Sequence, residues 1–429
     1  MESTLNYTKF YIKGKSSDKE ENKKLPLFEF CLSLVFVLYY LLPAINTTVP
    51  ILVAVIVAAG YGLLLWLKNA QDAKYILTLL ISAFVLSCLY CFLTDTATIS
   101  QSVDHYVLKR IISKFSQYFM SFFPVVMFLR IRQKASKSQM KCFVLLMLLL
   151  VAYVLVNTTI ELMTNENATR DWSEFAEQSE NNVGTYAYVY AVPIIVSILP
   201  VLFLKWKKGW QKILLLGVTM FLLVFLLLAQ YTLALLIGLI GFLLQININI
   251  KKPKKKYYFW FGLILLLLCS PLLLDLLAKY VPSKQMAIRL KEVAAFFSSG
   301  DISGYNLSSR LELYGKTILA FFQSPIIGNR SLGFDGHSTF LSVFADIGIF
   351  GGILFVYLYA LAKKQIDNKL ELKRKIFLPV FVSLILMGLT NPIHSAMPLS
   401  FVVWLLIPML LILPERKKEE KKHEKTLGN

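Results

Sequence analysis

From residue 25 to residue 413 the chain alternates between long apolar runs and short polar clusters. The runs approach the roughly 20 residues that an α-helix needs to cross about 30 Å of hydrocarbon. The pattern predicts twelve spans: Leu27–Leu42, Val49–Leu67, Tyr75–Leu93, Ile111–Leu129, Cys142–Leu162, Tyr186–Leu204, Ile213–Ala229, Thr232–Ile250, Tyr257–Leu277, Ser338–Ala362, Ile376–Leu389 and Leu399–Leu413. The fourth begins beside Lys109, Arg110 and Lys114, and the last two are short. The expected fold is all-α, a polytopic membrane bundle. It divides into a tail over 1–24, nine spans within 25–277, a long polar stretch over 278–336, three spans within 337–413 and a basic tail over 414–429.

Composition agrees with this class. Only 17% of residues are charged and 56% are hydrophobic, with mean hydropathy +0.61, whereas a soluble domain carries about a quarter charged residues. The net charge of +19 invites a nucleic-acid reading, but its placement opposes one. Of 45 Lys and Arg, 34 fall in alternate connections and the two tails. That is the positive-inside pattern, which predicts cytoplasmic termini. The basic clusters then read as topology signals that also touch anionic lipid. A lysine-rich tail ahead of a full-length first run does not resemble a cleavable signal. All five cysteines lie in or beside apolar runs, so Cys88-Leu-Tyr-Cys91 reads as small apolar filler rather than a redox or zinc motif.

The opposite set of connections behaves differently. Residues 163–184 hold five acids against Arg170 alone, and 278–336 contains seven of the remaining basic residues. Cations on the side that insertion disfavours need another purpose, and a bound anion supplies one. Ser283–Phe297 has Met286, Leu290, Val293 and Phe297 at helical spacing, an amphipathic helix for the membrane surface. Arg289 at the edge of that face fits either a snorkelling contact with lipid phosphate or a ligand contact. A second helix is expected to start at a capping box, Ser309-Arg310-Leu311-Glu312. Arg310 would then stand in the first turn, where a guanidinium opposes the helix dipole but suits an anion.

His337 follows Phe334-Asp335-Gly336 at the mouth of the tenth span, placed either to accept a proton from a hydroxyl or to anchor the interface. Asp346, nine residues on, is a carboxylate in the hydrocarbon layer and calls for a cation from another span. Gly348, Gly351 and Gly352 allow close helix contact.

These residues resemble the signature region of the bacterial O-antigen ligase and Wzy-type polysaccharide polymerase family. Ser309-Arg310, Ser324-Pro325-Ile326-Ile327-Gly328, His337-Ser338, Asp346 and Gly348 match that pattern in order. A family arginine at the outer start of an upstream span is replaced here by Gln230-Tyr231-Thr232, so either another cation such as Arg289 takes over the diphosphate contact or the donor is held in a different geometry. The resemblance implies a metal-independent, cofactor-free glycosyl transfer on the outer face of the bacterial plasma membrane. Its donor is an undecaprenyl-diphosphate-linked oligosaccharide. Arg310 and Arg289 would hold the diphosphate, with Ser309, Arg330 and Ser338 as further substrate contacts and His337 as general base. Asp346, Gly328 and Gly348 would support them. A flippase and a chain-length regulator of the same pathway are the implied protein partners. A polymerase and a ligase differ only in acceptor, and the motifs do not separate them. A lipid-linked oligosaccharide transporter is the rival from another class; internal repeats and midplane charges would favour it.

Overall fold

A computed structural model describes residues 24–68, 73–93, 103–170, 180–205, 208–281, 284–299, 305–329, 338–370, 373–394 and 396–413. Among the described residues all regular structure is helical. The helices are α1 Leu27–Leu41, α2 Pro43–Thr48, α3 Ile51–Leu67, α4 Ala73–Leu93, α5 Val103–Lys134, α6 Lys137–Thr164, α7 Tyr186–Lys205, α8 Gly209–Leu228, α9 Thr232–Asn249, α10 Pro253–Tyr280, α11 Lys284–Ser299, α12 Tyr305–Gln323, α13 Thr339–Leu370, α14 Arg374–Thr390 and α15 Met397–Ile412.

Seven of these are long and apolar enough to cross a membrane. An eighth, α10, qualifies as a bent pair, Pro253–Leu265 and Leu268–Tyr280, inclined at 52°. Pro271 lacks the amide that would bond to the carbonyl four residues earlier, which accounts for a break there. Leu27–Leu41, Ile51–Leu67 and Met397–Ile412 are apolar but shorter. Large apolar side chains also cover the outside: Ile56, Leu64, Ile213, Leu216, Leu268 and Leu272 are all exposed. A bundle with hydrocarbon on its surface as well as in its core is solvated by lipid, so the protein is a membrane protein.

Among the described residues the main core is a large aromatic and aliphatic cluster, and a small second cluster joins Ala278 of α10 to Leu290 of α11. Trp404 sits fully buried in the main cluster, where α15 widens into a π-turn over Val402–Leu406. Its ring meets Phe122 of α5, Tyr359 of α13 and Phe381 of α14, each within 6.3 Å. At one end of the bundle Arg130 of α5 grips Glu29 of α1 with two 2.7 Å bonds, and Tyr61 of α3 donates to the same carboxylate at 3.2 Å. Removing either member of such a pair leaves a buried charge, at a cost of about 3–5 kcal/mol. A capping box that the sequence reading passed over, Ser136 with Gln139, starts α6.

Two expectations change. The tenth run, Ser338–Ala362, is not one straight span. Gly348 has φ 68° and ψ −168° inside α13, and the chain reverses there. Phe340 consequently packs on Phe355 and Tyr359, with ring centroids 5.6 and 5.2 Å away. In a straight helix fifteen residues would separate the first pair by about 22 Å. The second change is in α12, which starts at Tyr305 rather than at the Ser309 box. Leu307 stands four residues before Leu311 and extends its apolar stripe by one turn; the first helix breaker upstream is Gly304. Arg310 therefore lies in the second turn, away from the free amides of a helix start, and Glu312 pairs with Lys316 at 2.6 Å instead.

Candidate functional site

The joint between α8 and α9 is the centre of the site. Gln230 turns the chain with φ +59°, a left-handed conformation. Its carbonyl accepts from Arg170 Nη2 at 2.6 Å and from Arg289 Nη1. Arg170 also reaches the Ala229 carbonyl at 3.4 Å. These oxygens belong to the C-terminal end of α8, where unpaired carbonyls and the negative end of the dipole favour cations. The Gln230 side chain donates to Glu166 Oε2 at 3.1 Å. Arg170 lies over the Tyr231 ring, 4.4 Å from its centroid, and Tyr190 meets that ring edge-on at 5.7 Å. The resemblance calls for an arginine at this joint. Two arginines from other segments converge on it.

A second helix end supplies the third cation. Arg310 Nη1 lies 3.3 Å from the Thr390 carbonyl at the end of α14, and the Tyr314 hydroxyl donates to the same oxygen at 3.0 Å. Arg310 is within electrostatic reach of both Arg289 and Tyr190, and so is Arg170. Three guanidiniums from three segments thus face one region, with Glu292 and Glu166 as the acids beside them. Burial, and then the charge of Arg170, lower the Arg289 pKa to about 10. Its cation is desolvated, repelled by like charges and still present at neutral pH. Thr169 is buried and its hydroxyl has no partner among the described residues. Each guanidinium has five donors, and the helix-end bonds occupy one or two of them. The rest suit a phosphate or diphosphate.

The second half of the motif forms a joint rather than a contact surface for ligand. Pro325 to Gly328 lies directly against the reversal at Gly348. Ile349 N donates to Pro325 O at 2.8 Å, and Asn329 N to Ala345 O at 2.6 Å. Gly328 has φ +79°, and a Cβ on Gly348 would stand 2.7 Å from Gly328 N. Both glycines are needed by conformation and by contact. Asp346, two residues before the reversal, comes within electrostatic reach of Lys114 and Arg110 of α5. Those two cations also approach the Tyr90 ring of α4, 4.2 and 5.3 Å from its centroid. The cation expected from another span is thus identified.

His337 and Arg330 lie outside the described residues. Ser338, the residue after His337, is buried with its hydroxyl 3.3 Å from Gly388 O. Thr339 bonds to Asn391 O and to Ile393 N, at 3.2 and 2.6 Å. The start of α13 is thereby fastened to the same end of α14 that Arg310 caps. Ser309 is half-buried beside Arg310. His394, in the turn after α14, is half-buried; Ser121 of α5 donates to its carbonyl at 2.7 Å. Burial, then the nearby Lys114 charge, push its pKa down to about 3.

Sequence reasoning missed Arg170, Lys114 and Arg110 as site residues. The available signal was their placement: one cation in an acid-rich connection, and two at the start of an apolar run. No protein-family model and no curated protein matches this chain.

Proposed function

We propose that the protein joins undecaprenyl-diphosphate-linked oligosaccharide units into a surface polysaccharide on the outer face of the bacterial plasma membrane. The observation that carries this reading is the convergence of Arg170, Arg289 and Arg310, from three segments, on the ends of α8 and α14. Such a cluster suits a lipid diphosphate, whose negative charge grows as it leaves. A sugar hydroxyl of the acceptor attacks the anomeric carbon of the donor, that carbon's bond to the diphosphate oxygen breaks, and the hydroxyl proton passes to a base. His337 is assigned that role, by its place ahead of Ser338, which is anchored beside the Arg310-capped end of α14. Twelve crossings with cytoplasmic termini, and residues 278–336 outside, complete the proposed topology, the tenth crossing being made by the limb of α13 that follows the reversal at Gly348. A ligase that transfers the same donor to a finished anchor uses the same chemistry.

One observation favours a second reading. Helix α13 is discontinuous at Gly348 with Asp346 beside the break, as in transporters, and a lipid-linked oligosaccharide flippase would use it. Purified protein with a synthetic undecaprenyl-diphosphate repeat unit separates the two. Longer glycan and free undecaprenyl diphosphate are expected from the polymerase. Transbilayer movement of intact donor in vesicles, without product, would establish the flippase.

A further inference from the structure

A cavity of about 440 Å³ lies between α13 and α14, within the range of a single small-ligand site. Lys364 and Arg374 line it, near the start of α14. The arginine cluster sits at the other end of that helix, about 24 Å away along the axis. The two halves of the cavity differ in chemistry. One is basic: Lys364 and Arg374 are exposed and have no partner among the described residues, and Lys363 is held by Asp367. The other is apolar, with Phe340, Tyr359 and Phe381 as its walls. Val356, 42% exposed, leaves it open towards the lipid-facing side. Asp367 uses Oδ2 for Lys363, while its Oδ1 is buried without a partner.

We infer that this cavity binds one anionic glycerophospholipid of the cytoplasmic leaflet whose headgroup carries hydroxyls. The phosphate lies against Lys364 and Arg374, a headgroup hydroxyl donates to Asp367 Oδ1, and an acyl chain runs past Val356 towards Phe381. Each part of the cavity calls for one part of this ligand. A soluble anion would leave the aromatic walls unused, and a neutral apolar molecule would leave two cations and a carboxylate oxygen unmatched. The segment around 363–375 is one of the basic connections that the positive-inside rule places in the cytoplasm, where anionic lipid concentrates. The inference rests on that topology and not on the glycosyl-transfer reading.

Native mass spectrometry of the full-length protein tests it, with phosphatidylglycerol and phosphatidylcholine of matched chains as probes and inorganic phosphate as competitor. Phosphatidylglycerol should be retained preferentially. Lys364→Gln with Arg374→Gln should weaken its retention roughly thirtyfold, about fivefold per charge. Lys251→Gln with Lys252→Gln, in another basic connection, should leave it unchanged. Both pairs are exposed, and unchanged melting temperatures would show that folding is intact. Wild-type retention by the Lys364/Arg374 variant, or equal retention of phosphatidylcholine, would overturn the inference. Displacement by inorganic phosphate would too, since it would reduce the cavity to a simple anion site.

Discussion

Gly328 and Gly348 meet backbone against backbone, the nitrogen of one 2.7 Å from where a side chain on the other would begin. The contact locks the Pro325–Gly328 turn onto the point where α13 reverses, and that reversal brings Phe340 onto Tyr359. Gly348→Ala should therefore lower stability by roughly 1–3 kcal/mol from backbone strain alone, with displacement of the turn in addition. Gly217→Ala is the control: it lies in α8 with open space around it and should be neutral or about 1 kcal/mol stabilising. Thermal unfolding in detergent measures both. Equal melting temperatures for the two variants would refute the joint.

Arg310→Ala, Arg289→Ala and Arg170→Ala should each reduce donor use. One charge-assisted hydrogen bond is worth about 1.5–3 kcal/mol, or a loss of roughly ten- to a hundredfold in kcat/KM. Arg310→Lys should recover only part of it, because a point charge replaces a bidentate fork. Binding of undecaprenyl diphosphate to the purified variants is the direct readout. Unchanged affinity in all three would remove the cluster from the site.

His337→Ala should cost on the order of 10²–10⁴ in rate, the usual yield of general base catalysis, while donor affinity stays near wild type. His337→Gln keeps hydrogen bonding but accepts no proton at neutral pH, and should fail equally. In cells, single lipid-linked repeats should accumulate on the outer leaflet. Normal polymer from the glutamine variant would assign His337 a positioning role only.

The His394 pKa, lowered to about 3 in the fold, stands near 6.5 in the unfolded chain. Between those values the unfolded state binds the extra proton, so stability is full above about pH 6.5 and falls as the pH drops through this window. The slope from this group is at most about 1.4 kcal/mol per pH unit. Chemical unfolding of wild type and His394→Gln at several pH values checks it. The variant should lose that part of the slope, and identical slopes would show that His394 is as solvated folded as unfolded.

The proposed topology predicts that Ser303→Cys is labelled by an impermeant thiol reagent in intact cells and Ser16→Cys is not, in a background without the native cysteines. The reverse pattern would invert the protein in the membrane.

What could be read along the chain was whatever depends on neighbours in sequence. Apolar runs predict helices because each must satisfy its own backbone in lipid, and α6 and α7 follow them closely. Alternating basic connections predict a sidedness because insertion acts on local charge. Arg289 and Arg310 stood out because that predicted sidedness puts them where insertion disfavours cations. What depends on contacts between distant segments was decided by the tertiary structure. The reversal at Gly348 was invisible in an apolar run, because hydropathy does not record φ, and a glycine there fits close packing equally well. Arg170 became a site residue only when Gln230 turned a carbonyl towards it, sixty residues away in sequence. Asp346 found Lys114 and Arg110 because α13 packs on α5. An isolated charge in a sequence signals that a partner is needed, and only the packing of helices determines which one it meets.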